Sequence, residues 1–278
     1  MSTSPLPICT ACGTQYSSPP PHHPSPPPAK SVSTPANSSL PPANHGQPCP
    51  NYKKRTKTNS PKTRPNPTPQ GNILWDLITL LDPETVDFIK SKGGLKAIVI
   101  SHPHYYTTYV EWARVFGCEV LVSKEDREWL CREPEGVVRF LEGEVEEVVR
   151  GVTAIKTGGH FRGSLVLCWE GRLCIADTIV TVPSAYTPHP RPPGQTSYSF
   201  QWSIPNMIPL PPDDILRIWR AIKPFKFDTT HGAFVGMDVR DKGLKRRMLE
   251  SMKIQVRGEG WDKHEILEEV VDEVEGSI

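Results

Sequence analysis

His102 and His104 stand one residue apart in Ser101-His102-Pro103-His104-Tyr105-Tyr106-Thr107-Thr108, directly after the apolar run Leu95-Lys96-Ala97-Ile98-Val99-Ile100. That run has the β-branched density of a buried strand. Residues i and i+2 of an extended segment share a face, so both imidazoles can turn the same way. Two imidazoles on one face form a ready pair of metal ligands. A surface loop can carry the same pair by chance, so the pair gains weight only from other positions.

Three such positions follow. His160 comes after Val152 to Thr157 and the pair Gly158-Gly159, Asp177 after Leu173 to Ala176, and His231 after Phe225 to Thr230. Each has a plain structural reading: a histidine behind a glycine turn, a turn cap, a partly exposed loop residue. All of them stand at the end of a strand-like segment in one domain. Layered α/β folds collect their sites in loops beyond strand ends.

The elements that must position these residues begin abruptly at Gly71. Asn72 to Ile78 reads as a buried strand with the carboxylate of Asp76 near its end. Asp82-Pro83-Glu84 reads as a helix start, with Asp as N-cap, and Gly93-Gly94 stops that helix. Helix over Thr108 to Phe116, strand over Glu119 to Val122, and a helix from Ser123 through Trp129 to Cys131 come next. Val137 to Leu141 and Val145 to Val149 are β-rich. A hairpin turns at Glu170-Gly171, a Pro-rich aromatic segment spans Thr181 to Leu210, and helices are expected from Pro211 to Ile222 and from Leu244 to Val256. Strands alternating with helices, with hairpins between, predict an α/β layered sandwich.

At 278 residues with a net charge of +1, no global field points to nucleic acid or a membrane surface. The neutral sum hides an asymmetry, because no Asp or Glu occurs up to Trp75, whereas Glu265 to Glu275 is strongly acidic. The basic arm leaves a nucleic-acid binder as the third-ranked reading. No run approaches the roughly 18 apolar residues of a membrane span, and no signal-peptide pattern opens the chain. Seven unevenly spaced cysteines do not form a secreted disulfide framework, so the expected setting is reducing, intracellular and cytoplasmic. Cys9-Thr10-Ala11-Cys12-Gly13 is half a zinc knuckle whose partners are not evident. The organisation expected is a half-knuckle over 1–17, a disordered low-complexity segment over 18–69, the folded domain over 70–258, and an acidic tail over 259–278.

The order His-x-His, Gly-Gly-His, Ala-Asp-Thr and a late His-Gly resembles the metallo-β-lactamase superfamily, whose motif is His-x-His-x-Asp-His followed by a separated His, Asp and His. The segments 98–112, 158–183 and 196–211 resemble more closely a fungal branch of glyoxalase-II-like hydrolases. The resemblance implies an αββα sandwich. It implies His102, His104 and His160 as the first metal site, Asp177 as the carboxylate beside or between metals, and His231 as the last second-site ligand. The Asp and His that should complete the first motif fall at Tyr106 and Thr107. One metal is therefore expected, with zinc the first choice for a three-histidine site.

The same resemblance implies a hydrolase acting on a small ester, thioester or lactone, with Asp177 orienting the site and Tyr106 a partial substitute for the missing carboxylate. Tyr198, Phe200 and Trp202 are the candidate substrate wall, unless they pack on the sheet. A non-catalytic metal-binding scaffold is the alternative. The family also begins with strands that this chain lacks before Asn72. In a shifted frame, residues 28–49 permit a peptide that resembles the family's N-terminal segment, with a second Cys-x-x-Cys to partner Cys9 and Cys12. Residues 18–69 are accordingly read as out-of-frame or mis-spliced translation.

Overall fold

The computed structural model describes residues 71–133, 135–187 and 191–271. The half-knuckle at Cys9 and Cys12, the segment 18–69 with its reading-frame interpretation, and the last part of the acidic tail lie outside these residues.

Alternation within the strands decides the layers. Strands β1 (Ile73–Trp75), β2 (Ala97–Val99), β3 (Glu119–Ser123) and β4 (Val138–Leu141) form one parallel sheet in that order. Ile73, Trp75, Ala97, Val99, Leu121 and Leu141 point to one face, where they meet Val152, Ala154, Leu165, Leu167 and Cys174 of a second sheet. Leu74, Ile98, Ile100, Val120 and Val122 point to the other, where they meet Ile89, Tyr109, Trp112 and Ala113. Those partners come from helices α1 (Pro83–Ser91) and α2 (Tyr109–Phe116). A strand apolar on both faces must be covered on both, which is why these runs read as continuous rather than alternating.

The second sheet has the order β10-β9-β8-β7-β6-β5, from β5 (Val145–Val149), β6 (Val152–Lys156), β7 (Leu165–Trp169), β8 (Arg172–Cys174), β9 (Thr229–His231) and β10 (Val239–Arg240). Its pairs are antiparallel except β8 with β9. Its outer face carries Ile155, Val166 and Leu173 against α3 (Pro212–Ile222) and α4 (Leu244–Gly258), through Ile215, Ile218, Trp219, Met248 and Met252. Helix, sheet, sheet, helix is the αββα sandwich expected.

Local chemistry explains the boundaries. Asp82 caps α1 by accepting from the Thr85 backbone N–H at 2.7 Å. Gly117, left-handed at φ 61°, ends α2. The helix expected after Ser123 is a 3₁₀ helix, Lys124–Trp129, at whose start Ser123 Oγ donates to Glu125 at 2.6 Å rather than accepting from a backbone N–H. The segment 259–271, placed in the tail by sequence, packs on the helix layer. Ile266 is fully buried there, and Glu269 accepts from Trp219 Nε1 at 3.0 Å and Lys223 Nζ at 2.8 Å.

Candidate metal centre

Each candidate ligand leaves the end of a strand. After β2 the chain runs through Ile100 and Ser101 to His102, extended at φ −167°, and Pro103 then starts a 3₁₀ turn that carries His104. Proline suits that first position because its φ is fixed and its missing N–H is not needed there. His160 is reached from β6 through Gly158 and Gly159, at φ 63° and 94°. A Cβ on Gly159 would stand 2.9 Å from Thr178 Cγ2 and 3.0 Å from Leu210 Cδ1, so glycine is required for space as well as conformation. Asp177 follows β8.

Four side chains converge. His102 Nε2 lies 3.2 Å from His104 Nδ1 and 3.3 Å from Asp177 Oδ2. His104 Nδ1 lies 3.4 Å from His160 Nε2 and 3.6 Å from Asp177 Oδ2, and His160 Nε2 lies 3.9 Å from that same oxygen. All four donor atoms fall within 4.8 Å of one another. A tetrahedral zinc about 2.1 Å from each ligand would space the ligands about 3.4 Å apart. The donor set therefore fits one tetrahedral ion, with three imidazoles and a carboxylate at its corners.

Protonation agrees with that fit. Burial lowers His102 to about 4, against the pull of Asp177. Burial also lowers His160. For Asp177, burial alone would raise the pKa, but the neighbouring His102 and His104 side chains outweigh it and hold the carboxyl below its usual range. Neutral imidazoles beside an ionised carboxylate are the forms that bind a cation.

Behind the ligands lies a relay that sequence reasoning left out of the site. Asp76, fully buried and left-handed at φ 55°, accepts from Ser101 N at 2.7 Å and from Ser101 Oγ at 2.9 Å. Ser101 Oγ lies 2.8 Å from His102 Nδ1. The hydroxyl has one proton; given to Asp76, it leaves the oxygen to accept from Nδ1–H, which keeps the lone pair on Nε2. The available signal was a carboxylate just past a strand end, followed 25 residues later by a serine directly before the first histidine.

The remaining candidates stand elsewhere. His231 is outside the four-residue group, its Nδ1 3.0 Å from Asp238 Oδ1. Tyr106 packs in the cluster beneath α1 and α2, with its hydroxyl buried and without a hydrogen-bond partner. Burial, aided by the nearby carboxylates of Asp126 and Asp76, holds that phenol protonated. Thr107 Oγ1 is likewise buried and unpartnered. Tyr198 and Phe200 are fully buried in the cluster under α3 and α4, and Tyr198 Oη is 2.8 Å from Thr230 Oγ1. Of the three aromatics proposed as a wall, Trp202 alone lines the cleft beside the metal group. That cleft holds about 440 Å³, with His104 and His160 at one end and Glu128, Trp129, Phe161 and Arg162 around it.

No family model matches the chain. The uncharacterized protein YmaE of Bacillus subtilis is 36% identical over 189 residues, 66% of this chain and 65% of that protein; the chain thus spans about two thirds of that relative's length. Among solved structures, the DIM-1 metallo-β-lactamase is 15% identical, with 68% of this chain and 84% of that one covered at a TM-score of 0.50. A di-iron-bound protein, TTHA1623, is 15% identical over 65% of this chain and 89% of that one, with a TM-score of 0.45. Two sheets face to face, helices outside both, and candidate ligands at the strand ends, together with the likeness to DIM-1, give the conclusion: this chain has the metallo-β-lactamase fold.

Proposed function

We propose that the protein is a metal-dependent hydrolase holding one zinc ion through His102, His104, His160 and Asp177, and acting on a small ester, thioester or lactone. The observation that carries this reading is the near-tetrahedral spacing of the four donor atoms at the end of an open cleft. Zinc in such a site supplies Lewis acidity, polarising a carbonyl and acidifying water. The chain's own residues do the rest. Asp76 and Ser101 hold the His102 ring in one tautomer, and Asp177 keeps a negative charge against the cation. Phe161 meets the His104 and His160 rings at steep angles, with 5.0 and 5.1 Å between ring centres, and packs against one side of the site.

A single ion is favoured because the positions that would complete a second site add no ligand to the four-residue group. Tyr106 and Thr107 are turned into the interior, and His231 is paired with Asp238. Among the described residues no helix is long and apolar enough to cross a membrane. A small-molecule substrate, rather than nucleic acid, suits a cleft of this size, and among the described residues Cys118, Cys131 and Cys168 form no disulfide, in keeping with the cytoplasmic setting proposed.

One observation favours a second reading. Asp177 occupies the fourth corner of the tetrahedron, the arrangement of a closed structural site. The alternative is a metal-binding scaffold without turnover. Metal analysis of the purified full-length protein, with a panel of esters, thioesters and lactones, separates the two. About one zinc per chain with turnover that a chelator abolishes supports the hydrolase. Metal without turnover supports the scaffold, and absence of metal after zinc addition overturns both.

A further inference from the structure

We infer that the cleft selects substrates carrying a flat apolar group and an anionic group, the latter read by Arg162; this rests on the hydrolase reading above and names its substrate class. Trp129 and Trp202 line the cleft while 53% and 55% exposed. Two large aromatics left open to water beside one cavity mark a binding surface more often than chance does. Trp129 also meets Phe161 edge-to-face at 5.5 Å, so one wall is already assembled before any ligand arrives. Such walls take a planar apolar group with little loss of side-chain freedom.

Two charges share the cleft, Arg162 and Glu128. They form no ion pair with each other, and neither side chain has a hydrogen-bond or ion-pair partner among the described residues. Their charges cancel, so these two side chains together supply no net positive field. Apart from the cation proposed above, the anion-binding group that the cleft offers is the guanidinium, whose planar fork matches a carboxylate with two parallel hydrogen bonds.

Arg162 is also held in place at its backbone. Phe161 N–H donates to Ser164 Oγ at 2.9 Å, Ser164 N–H returns to Phe161 O at 3.3 Å, and Gly163 N–H donates to Asp126 Oδ1 at 2.9 Å. A Cβ at Gly163 would lie 2.4 Å from Ser123 Oγ, so the loop can sit this close only with glycine there. The turn that carries His160 thus presents Arg162 from a fixed backbone two residues beyond the ligand.

Binding to the full-length protein, followed by quenching of tryptophan fluorescence, tests this without requiring turnover. The probes are 2-naphthoate and the neutral 2-naphthamide. Naphthoate should bind at least tenfold more tightly. Arg162→Gln should erase that preference and leave naphthamide affinity unchanged, while Glu128→Gln should preserve or widen it. Equal affinity for the two probes, failure of either to bind, or a preference that survives Arg162→Gln overturns the inference. A preference that survives the substitution but vanishes with chelator identifies the metal as the anion's partner and overturns it too. Arg162-dependent binding in a protein that hydrolyses no ester leaves this assignment standing and removes the hydrolase reading alone.

Discussion

His102 Nε2 and Asp177 Oδ2 face each other at 3.3 Å, one buried and neutral near pH 7, the other held ionised. Neither belongs to the other's strand: one follows β2 of the first sheet and the other β8 of the second. The candidate metal centre therefore bridges the two sheets, and the packing between them sets its dimensions.

Replacing Asp177 by Ala should weaken zinc binding by more than the roughly 10–100-fold typical of losing an outer-shell partner. Competition against a chromophoric chelator measures it. Unchanged affinity would show that the three histidines suffice and that Asp177 stands outside the coordination shell.

Ser101→Ala removes the link between Asp76 and His102 Nδ1 and should lower metal affinity about 10–100-fold, whereas Ser101→Thr, which keeps the hydroxyl, should restore most of it. Thermal unfolding of the metal-free variants provides the control. If Ser101→Ala loses stability but not affinity, the relay is structural only.

Tyr106→Phe deletes a buried hydroxyl that has no partner. Removing such a group should leave stability unchanged or raise it by up to about 1 kcal/mol. Metal stoichiometry should also be unaffected. A large drop in metal content or turnover would restore Tyr106 as a functional residue against its placement in the core.

Asp126 is buried, and that burial raises its pKa to about 6, while the Gly163 N–H it accepts partly opposes the shift. The folded protein thus binds a proton that the unfolded chain releases near 3.8, and the stabilisation is lost as pH rises through about 6. Asp126→Asn keeps an acceptor for Gly163 and cannot ionise. Its stability relative to the parent should rise by about 1–3 kcal/mol between pH 4 and pH 7.5, measured by urea unfolding at each pH. A pH-independent difference would contradict the raised pKa.

Phe200 and Trp202 should separate cleanly. Phe200→Ala leaves a cavity under α3 and should cost about 3–5 kcal/mol. Trp202→Ala, at an exposed position, should cost little stability and instead weaken binding of an aromatic probe several-fold. Equal stability losses would mean that Trp202 is part of the core.

The layering and the strand-end histidines were legible in the residue pattern alone. Runs such as 97–100 and 120–122 are apolar at every residue, hence on both faces, and such strands have no stable home except between two covering layers. The capping at Asp82 and the stop before Gly93-Gly94 were legible because both depend on neighbours a few residues away. The meeting of His102, His104, His160 and Asp177 was legible only as a resemblance, since nothing local fixes a distance between residues as far apart as 104 and 160.

The other features depend on how the sheets and helices pack together. Whether an aromatic in the 198–202 stretch faces a core or a cleft depends on which helices cover the strand, so Tyr198 and Phe200 turn under α3 and α4 while Trp202 emerges. Tyr106 is polar at one atom only, and the apolar surface beneath α1 and α2 outweighed that atom. Asp76 and Ser101 became partners because β1 and β2 pair in register, Trp75 opposite Val99, which brings the two strand ends side by side. Alternation and capping are short-range and survive in the sequence; side-chain convergence is the sum of many packing contacts and exists only once the sheets have closed on each other.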